Sequence, residues 1–177
     1  PGNKLSDGME FVEKHFGGTL PLEVVINFKT ENNALLKENL LKVDEFKLRL
    51  GEIDEIGTII SYTDYLKIIN EEFGVGRRIL PENINEALSL IYLLDNPINL
   101  LNVNNSKGRI TSRISNITTS RGESLKEEIT LLSKNIFDND TEILITGSTL
   151  LALKTNRHLV KNLTFSFLIA SSIIFLS

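Results

Sequence analysis

Between Leu22 and Phe28 the chain alternates. Leu22, Val24, Ile26 and Phe28 interleave with Glu23, Val25 and Asn27, the period of two that marks a strand with one buried face. The stretch "GRITSRIS" at 108–115 alternates in the same way, with Ile110 and Ile114 on one side and Arg109 and Arg113 on the other. Shorter apolar runs at 55–61 and 142–146 complete a set of four predicted strands. Helical spacing fills the intervals. Leu36, Leu40, Val43 and Leu50 form one stripe over 33–50, closed by Gly51. A second helix is predicted from Asp64 to Gly74, and a third brings Ile84, Leu88 and Ile91 inward with Pro97 beyond its end. A fourth carries Leu125, Ile129, Leu132 and Ile136 on one face, opened by an S-x-x-E capping box of Ser120 and Glu123. Ahead of the first strand, a short helix begins at Asp7, with Glu10 as its capping partner and Met9, Val12 and Phe16 inward. Gly17-Gly18 stops it, glycine being the residue that accepts the left-handed turn of a helix end.

The order is strand–helix–strand, a helical insertion, then strand–helix–strand. Two such units with right-handed crossovers predict an α+β fold of the ferredoxin-like split βαβ type, a four-stranded sheet with helices on one face. Residues 1–147 form this domain. Residues 148–177 form a helix from about Thr149 that neither proline nor glycine interrupts.

That last helix changes character along its length. Every charged residue lies between Lys4 and Lys161, and "NLTFSFLIASSIIFLS" from Asn162 onward has none. As a helix it spans roughly 24 Å at ~1.5 Å per residue, about a turn short of a ~30 Å bilayer core. Its apolar residues point to all sides, whereas the other helices keep a polar face. We therefore expect a membrane helix that is cut short where the chain stops. The start at Pro1, with neither Met nor signal peptide, fits a piece of something longer.

Composition removes several kinds of chemistry. Zero cysteines exclude disulfides, thiol catalysis and thiolate metal sites, and a net charge of −4 gives a nucleic-acid partner no electrostatic footprint. His15 and His158 lack a second ligand at helical spacing and are expected to be plain surface or boundary histidines. The Gly74–Gly76 "GVG" follows a helix and lacks a third glycine, so it is no dinucleotide fingerprint. The acidic groups Asp44-Glu45, Glu52-Asp54-Glu55 and Glu71-Glu72 are expected as solvated surface, and Arg77-Arg78 as plain loop. Asn104 and Asn116 fit glycosylation sequons, which matter only in a eukaryotic secretory setting. No catalytic, cofactor-binding or metal-binding residue is predicted, no cofactor is called for, and the chain is not expected to be an enzyme.

The stretches "FVEKHFGGTLPLEVVINFK", "YTDYLKIINEEF", "ILPENINEALSLIYLL", "GRITSRISN" and "ILITGSTLLALKTNRHLVKNLTFSFLIASSIIFLS", in that order, resemble the large extracytoplasmic loop of resistance–nodulation–division (RND) transporters. The likeness is to the MmpL and hydrophobe/amphiphile-efflux branch and covers about 7–177. It is carried by the order of elements and by Thr146-Gly147 ahead of the apolar helix. The resemblance implies a porter-type domain on the extracytoplasmic side of the cell (inner) membrane. It implies proton-driven export of hydrophobic or amphiphilic molecules, often lipids, by alternating access, with the proton-relay carboxylates in membrane helices outside these residues. Implied partners are membrane lipid, a hydrophobic or amphiphilic substrate and a further copy of the chain in a homo-oligomer.

Two other classes stay open on the residues alone. Lys154, Arg157 and Lys161 flank the apolar run, and the positive-inside tendency favours a cytosolic α/β domain held by a tail anchor. A soluble binding module would instead bury its C-terminal helix in the core.

Overall fold

The computed structural model describes residues 7–8, 11–12, 15, 17–93, 99–147, 162–169 and 171. Four strands make one sheet: β1 (Leu20–Asn27), β2 (Ile56–Ser61), β3 (Lys107–Ile114) and β4 (Glu142–Thr146). The order across it is β2-β3-β1-β4, and each neighbouring pair is antiparallel. Four α-helices are present among the described residues: α1 (Lys37–Leu50), α2 (Tyr62–Phe73), α3 (Ile84–Tyr92) and α4 (Thr119–Ile136). Asp7, Gly8, Phe11, Val12 and His15 are also helical, where the short opening helix is predicted. Met9, Glu10, Phe16, Pro97, Lys154, Arg157, His158 and Lys161, and the stretch 148–161, lie outside the described residues.

The alternation in β1 does what its pattern predicts. Leu22, Val24, Ile26 and Phe28 are buried under the helices, and Ile110 and Ile114 of β3 join them on the same face. Leu40, Val43, Phe46 and Leu50 of α1 and Leu125 and Ile129 of α4 close the core from above. Each fully buried aliphatic side chain stabilises the fold by ~1.5–3 kcal/mol in transfer free energy.

Several predicted details are corrected. The stripe over 33–50 is two elements. A 3-10 turn (Asn33–Leu35) ends at an extended Leu36, which precedes α1 and is only half-buried, while Ala34, Leu35 and Phe46 supply the buried apolar surface. Helix α2 starts at Tyr62, because Ser61 is its N-cap and the Asp64 carboxylate accepts the Ser61 backbone N–H at 2.9 Å. Helix α4 starts two residues before the predicted box. Thr118 is the N-cap and accepts the Arg121 N–H at 3.3 Å, so Ser120 sits inside the first turn. In α3 the buried positions are Ala87 and Leu90, flanked by half-buried Ile84, Leu88 and Ile91. Leu132 and Ile136 reach the core only in part, since they face the groove between α1 and α4.

Both ends of the sheet rely on glycine. Gly17 (φ 72°) and Gly18 (φ 133°) cross directly over backbone: a β-carbon on Gly18 would lie 2.2 Å from the Ile114 carbonyl oxygen, and one on Gly57 would lie 2.1 Å from that of Gly17. The double glycine is therefore more than a helix stop. It is the place where the chain passes against β2 and β3, at the bulge that shifts register between Ile56 and Ile59. At the opposite end the Tyr62 ring lies flat on Gly108, where a β-carbon would come within 2.2 Å of Cε1.

Gly108→Ala should therefore destabilise the fold by ~1–3 kcal/mol through overpacking. Leu125→Ala should cost ~2–5 kcal/mol, and half-buried Leu132→Ala clearly less. Urea unfolding of the three variants checks both expectations. Equal losses at positions 125 and 132 would contradict the orientation of α4.

Candidate functional site

Asp44 and Lys47 on α1 face Asp64 and Lys67 on α2. Lys67 Nζ donates to both Asp44 oxygens at 2.6 and 2.7 Å, and Lys47 donates to Asp64. The two helices run antiparallel, so an acid–base pair three residues apart on each meets its mirror on the other. Asp44 is thus a helix–helix tie and not solvated surface.

Glu55 is the second correction. It precedes β2, and its carboxylate receives a two-pronged hydrogen bond from Arg121, Nε at 2.6 Å and Nη2 at 2.8 Å. Its backbone carbonyl also accepts the Ser115 N–H at 3.0 Å. Arg121 reaches Glu128 as well, at 3.3 Å. The hydrogen bonds from Arg121 hold the Glu55 carboxyl below its ordinary pKa, against the opposing effect of partial burial. The same partner raises Arg121. Glu52 pairs at 3.4 Å with Arg49, while Glu45, Asp54, Glu71 and Glu72 are exposed.

Tyr62 is wholly buried, and burial pushes its phenol well above the ordinary value. Its hydroxyl donates to the Ala34 carbonyl at 2.9 Å, so this buried phenol serves a structural bond and marks no reactive site. His15 stacks on Phe11 at 4.2 Å and shares a 2.9 Å contact with the Phe11 carbonyl, exposed as expected. The loop after α2 folds over buried Asn70. The Asn70 amide donates to the Ile79 carbonyl at 3.0 Å, and its oxygen accepts the Val75 N–H at 3.3 Å. That leaves Arg77 and Arg78 exposed on the loop.

Asn32, Asn102, Asn104 and Asn105 form one hydrogen-bonded knot. Asn32 and Asn105 both adopt positive φ, 60° and 49°, which asparagine tolerates better than most residues. Asn105 donates to the Asn32 side chain at 3.0 Å, and Asn102 accepts the Lys107 N–H at 2.7 Å. The sequon residue Asn104 belongs to this knot, taking a 2.8 Å hydrogen bond from Ser106.

What remains is surface. A groove of about 500 Å³ between α1 and α4 is lined by Glu45, Arg49, Glu52, Ile53, Glu128, Leu132, Asn135 and Ile136. Its walls combine both signs of charge with a thin apolar floor, and no nucleophile–base pair faces into it. Among the described residues no group of three or more His, Asp or Glu side chains converges as a metal site would require. The unusual element is the helical segment 162–169, exposed at every position. Leu163, Phe165 and Phe167 are 69%, 65% and 71% exposed, and Leu168 and Ile169 are open as well. No described helix is long and apolar enough to cross a membrane. Ile173, predicted with this segment, lies outside the described residues.

The chain matches no family model, and no curated protein is recognisably similar to it.

The Glu55–Arg121 bond yields a pH expectation. Because the folded-state pKa of Glu55 is depressed, its contribution to stability is present above the ordinary value of 4.5 and is lost as pH falls through the lower folded value. Glu55→Gln should flatten the acid side of a stability–pH profile and leave the slope near neutrality unchanged. An unaltered acid limb would show that the pair does not couple to folding.

Proposed function

We propose that these residues form a porter-type domain of a proton-driven RND exporter of the MmpL or hydrophobe/amphiphile-efflux kind. The domain lies on the extracytoplasmic side of the inner membrane, on the path of hydrophobic or amphiphilic cargo, with lipids the favoured class. One observation carries this reading: the helical segment at 162–169 exposes Leu163, Phe165, Phe167, Leu168 and Ile169 on all sides, a surface that water does not favour and lipid does.

The topology supports it. Read from the other edge, the order β4-β1-β3-β2 with helices α1 and α4 as crossovers supports a ferredoxin-like split βαβ. Strand β1 begins beside the place where β4 ends. Glu23 pairs with Thr146, and Gly147 packs on the backbone of Pro21 and Leu22. A domain inserted between two membrane helices must receive and return the chain at one end, and this sheet does. The exposure of 162–169 also weighs against a soluble module that buries this segment. The proposal rests on architecture and exposed surface and assigns no substrate-binding residue. Proton transfer falls to membrane helices outside these residues, and the domain's part is to rock against neighbouring domains as access alternates.

Flotation with phospholipid vesicles tests the proposal. The full chain should rise with the vesicles, and a chain ending at Val160 should stay in the dense fraction. A full chain that remains monomeric and vesicle-free without detergent would overturn it. The reading frame of the intact gene separates an exporter from a tail-anchored domain, since only the exporter has membrane spans on both sides.

A further inference from the structure

The two edges of the sheet are not treated alike. The β2 edge is broken by the register shift between Ile56 and Ile59, and the glycine crossing sits against it at Gly57. Both are devices that discourage a foreign strand from adding. The β4 edge has neither. Glu142–Thr146 is regular, holds no proline or glycine, and has one charge at its first position. Its inner side pairs with β1, and no described strand pairs with its outer side.

We infer that the β4 edge is a homodimer seam, at which β4 of a second copy adds antiparallel about a twofold axis through Leu144. The strand is self-complementary in that register. Leu144 meets its own twin, Ile143 lies opposite Ile145, and Glu142 lies opposite Thr146, so no like charges oppose each other. Side-chain facing is kept: Ile143 and Ile145 continue the helix-covered layer of both copies, while Leu144 (59% exposed) lies on the open face of both. The layer above agrees. Helix α4 turns Glu128, Leu132, Asn135 and Ile136 toward α1, so its opposite flank, Lys126, Glu127, Thr130 and Leu131, overhangs the β4 side beside a shallow depression. The twofold sets two α4 helices antiparallel there. Glu127 in the first half of one then points toward the end of the other that carries Lys134. Charge complementarity and strand register thus select a second copy of this chain over an unrelated strand. This inference stands independently of the exporter reading.

The natural absence of cysteine makes the test direct. Residues opposite each other in an antiparallel pair have Cα atoms ~4.5–5.5 Å apart, within disulfide range. Full-length chain bearing Leu144→Cys, kept in mild detergent so that the apolar helix is covered, is oxidised with copper–phenanthroline and run on a non-reducing gel. A disulfide-linked dimer should dominate. Glu142→Cys alone should stay monomeric, because its twin lies four residues away along the seam. A mixture of Glu142→Cys with Thr146→Cys chains should cross-link. Leu48→Cys, exposed on α1 and outside the proposed seam, is the control for random or tail-driven encounters. Cross-linking of Leu144→Cys no greater than that of Leu48→Cys would overturn the seam, as would efficient self-linking of Glu142→Cys. Circular dichroism of each reduced variant confirms folding, and Leu144→Lys should abolish dimer in sedimentation while leaving the spectrum intact.

Discussion

The seating of Tyr62 on Gly108 holds the two halves of this fold together. The ring closes the junction where β2 turns into α2, lies against the start of β3, and sends its hydroxyl to the Ala34 carbonyl in the turn before α1. Three segments far apart in sequence therefore meet at one side chain. Its position explains why the second residue of β3 has no β-carbon. It also explains why the buried Ala34 carbonyl does not go without a partner, which would cost ~1–3 kcal/mol. The asparagine knot stands at the same end, fixing the turn that offers this carbonyl to the loop that leads into β3.

The other end of the sheet is organised by close backbone approach and one strong ion pair. Gly17 and Gly18 bring the chain across β2 and β3 with no side chain between, and Glu55 binds the start of β2 to Ser115 and Arg121 just beyond β3. Gly147, packed on the backbone of Pro21 and Leu22, sets the end of β4 beside the start of β1. That adjacency gives the proposed placement between two membrane helices its mechanical sense, because a domain held at one end can tilt as a unit.

Function is therefore sought on the surface and not in a cleft. Among the described residues, the perturbed groups Glu55, Arg121 and Tyr62 are all committed to holding elements together. The apolar segment at 162–169 and the regular β4 edge are the features the folded domain does not itself use. The first presents exposed apolar side chains, and the second an outer side with which no described strand pairs.

The strands were legible in the sequence because alternation is a local property: Leu22, Val24 and Ile26 had to face one way whatever they faced. Helix positions were legible for the same reason, and so was the apolar character of the last segment. Helix ends were less so. Ser61 with Asp64 and Thr118 with Arg121 are caps as ordinary as the predicted Ser120–Glu123 box, and which one operates depends on where the preceding strand releases the chain. The partners of Asp44 and Glu55 could not be read at all, because Lys67 and Arg121 lie 23 and 66 residues away and only the fold brings them near. The same holds for Gly108 beneath Tyr62. Local sequence determined the elements and their buried faces, since periodicity acts over a few residues. Tertiary structure alone decided the charge partners, the glycine contacts and which strands lie at the sheet's edges, since each depends on atoms that the chain itself keeps far apart.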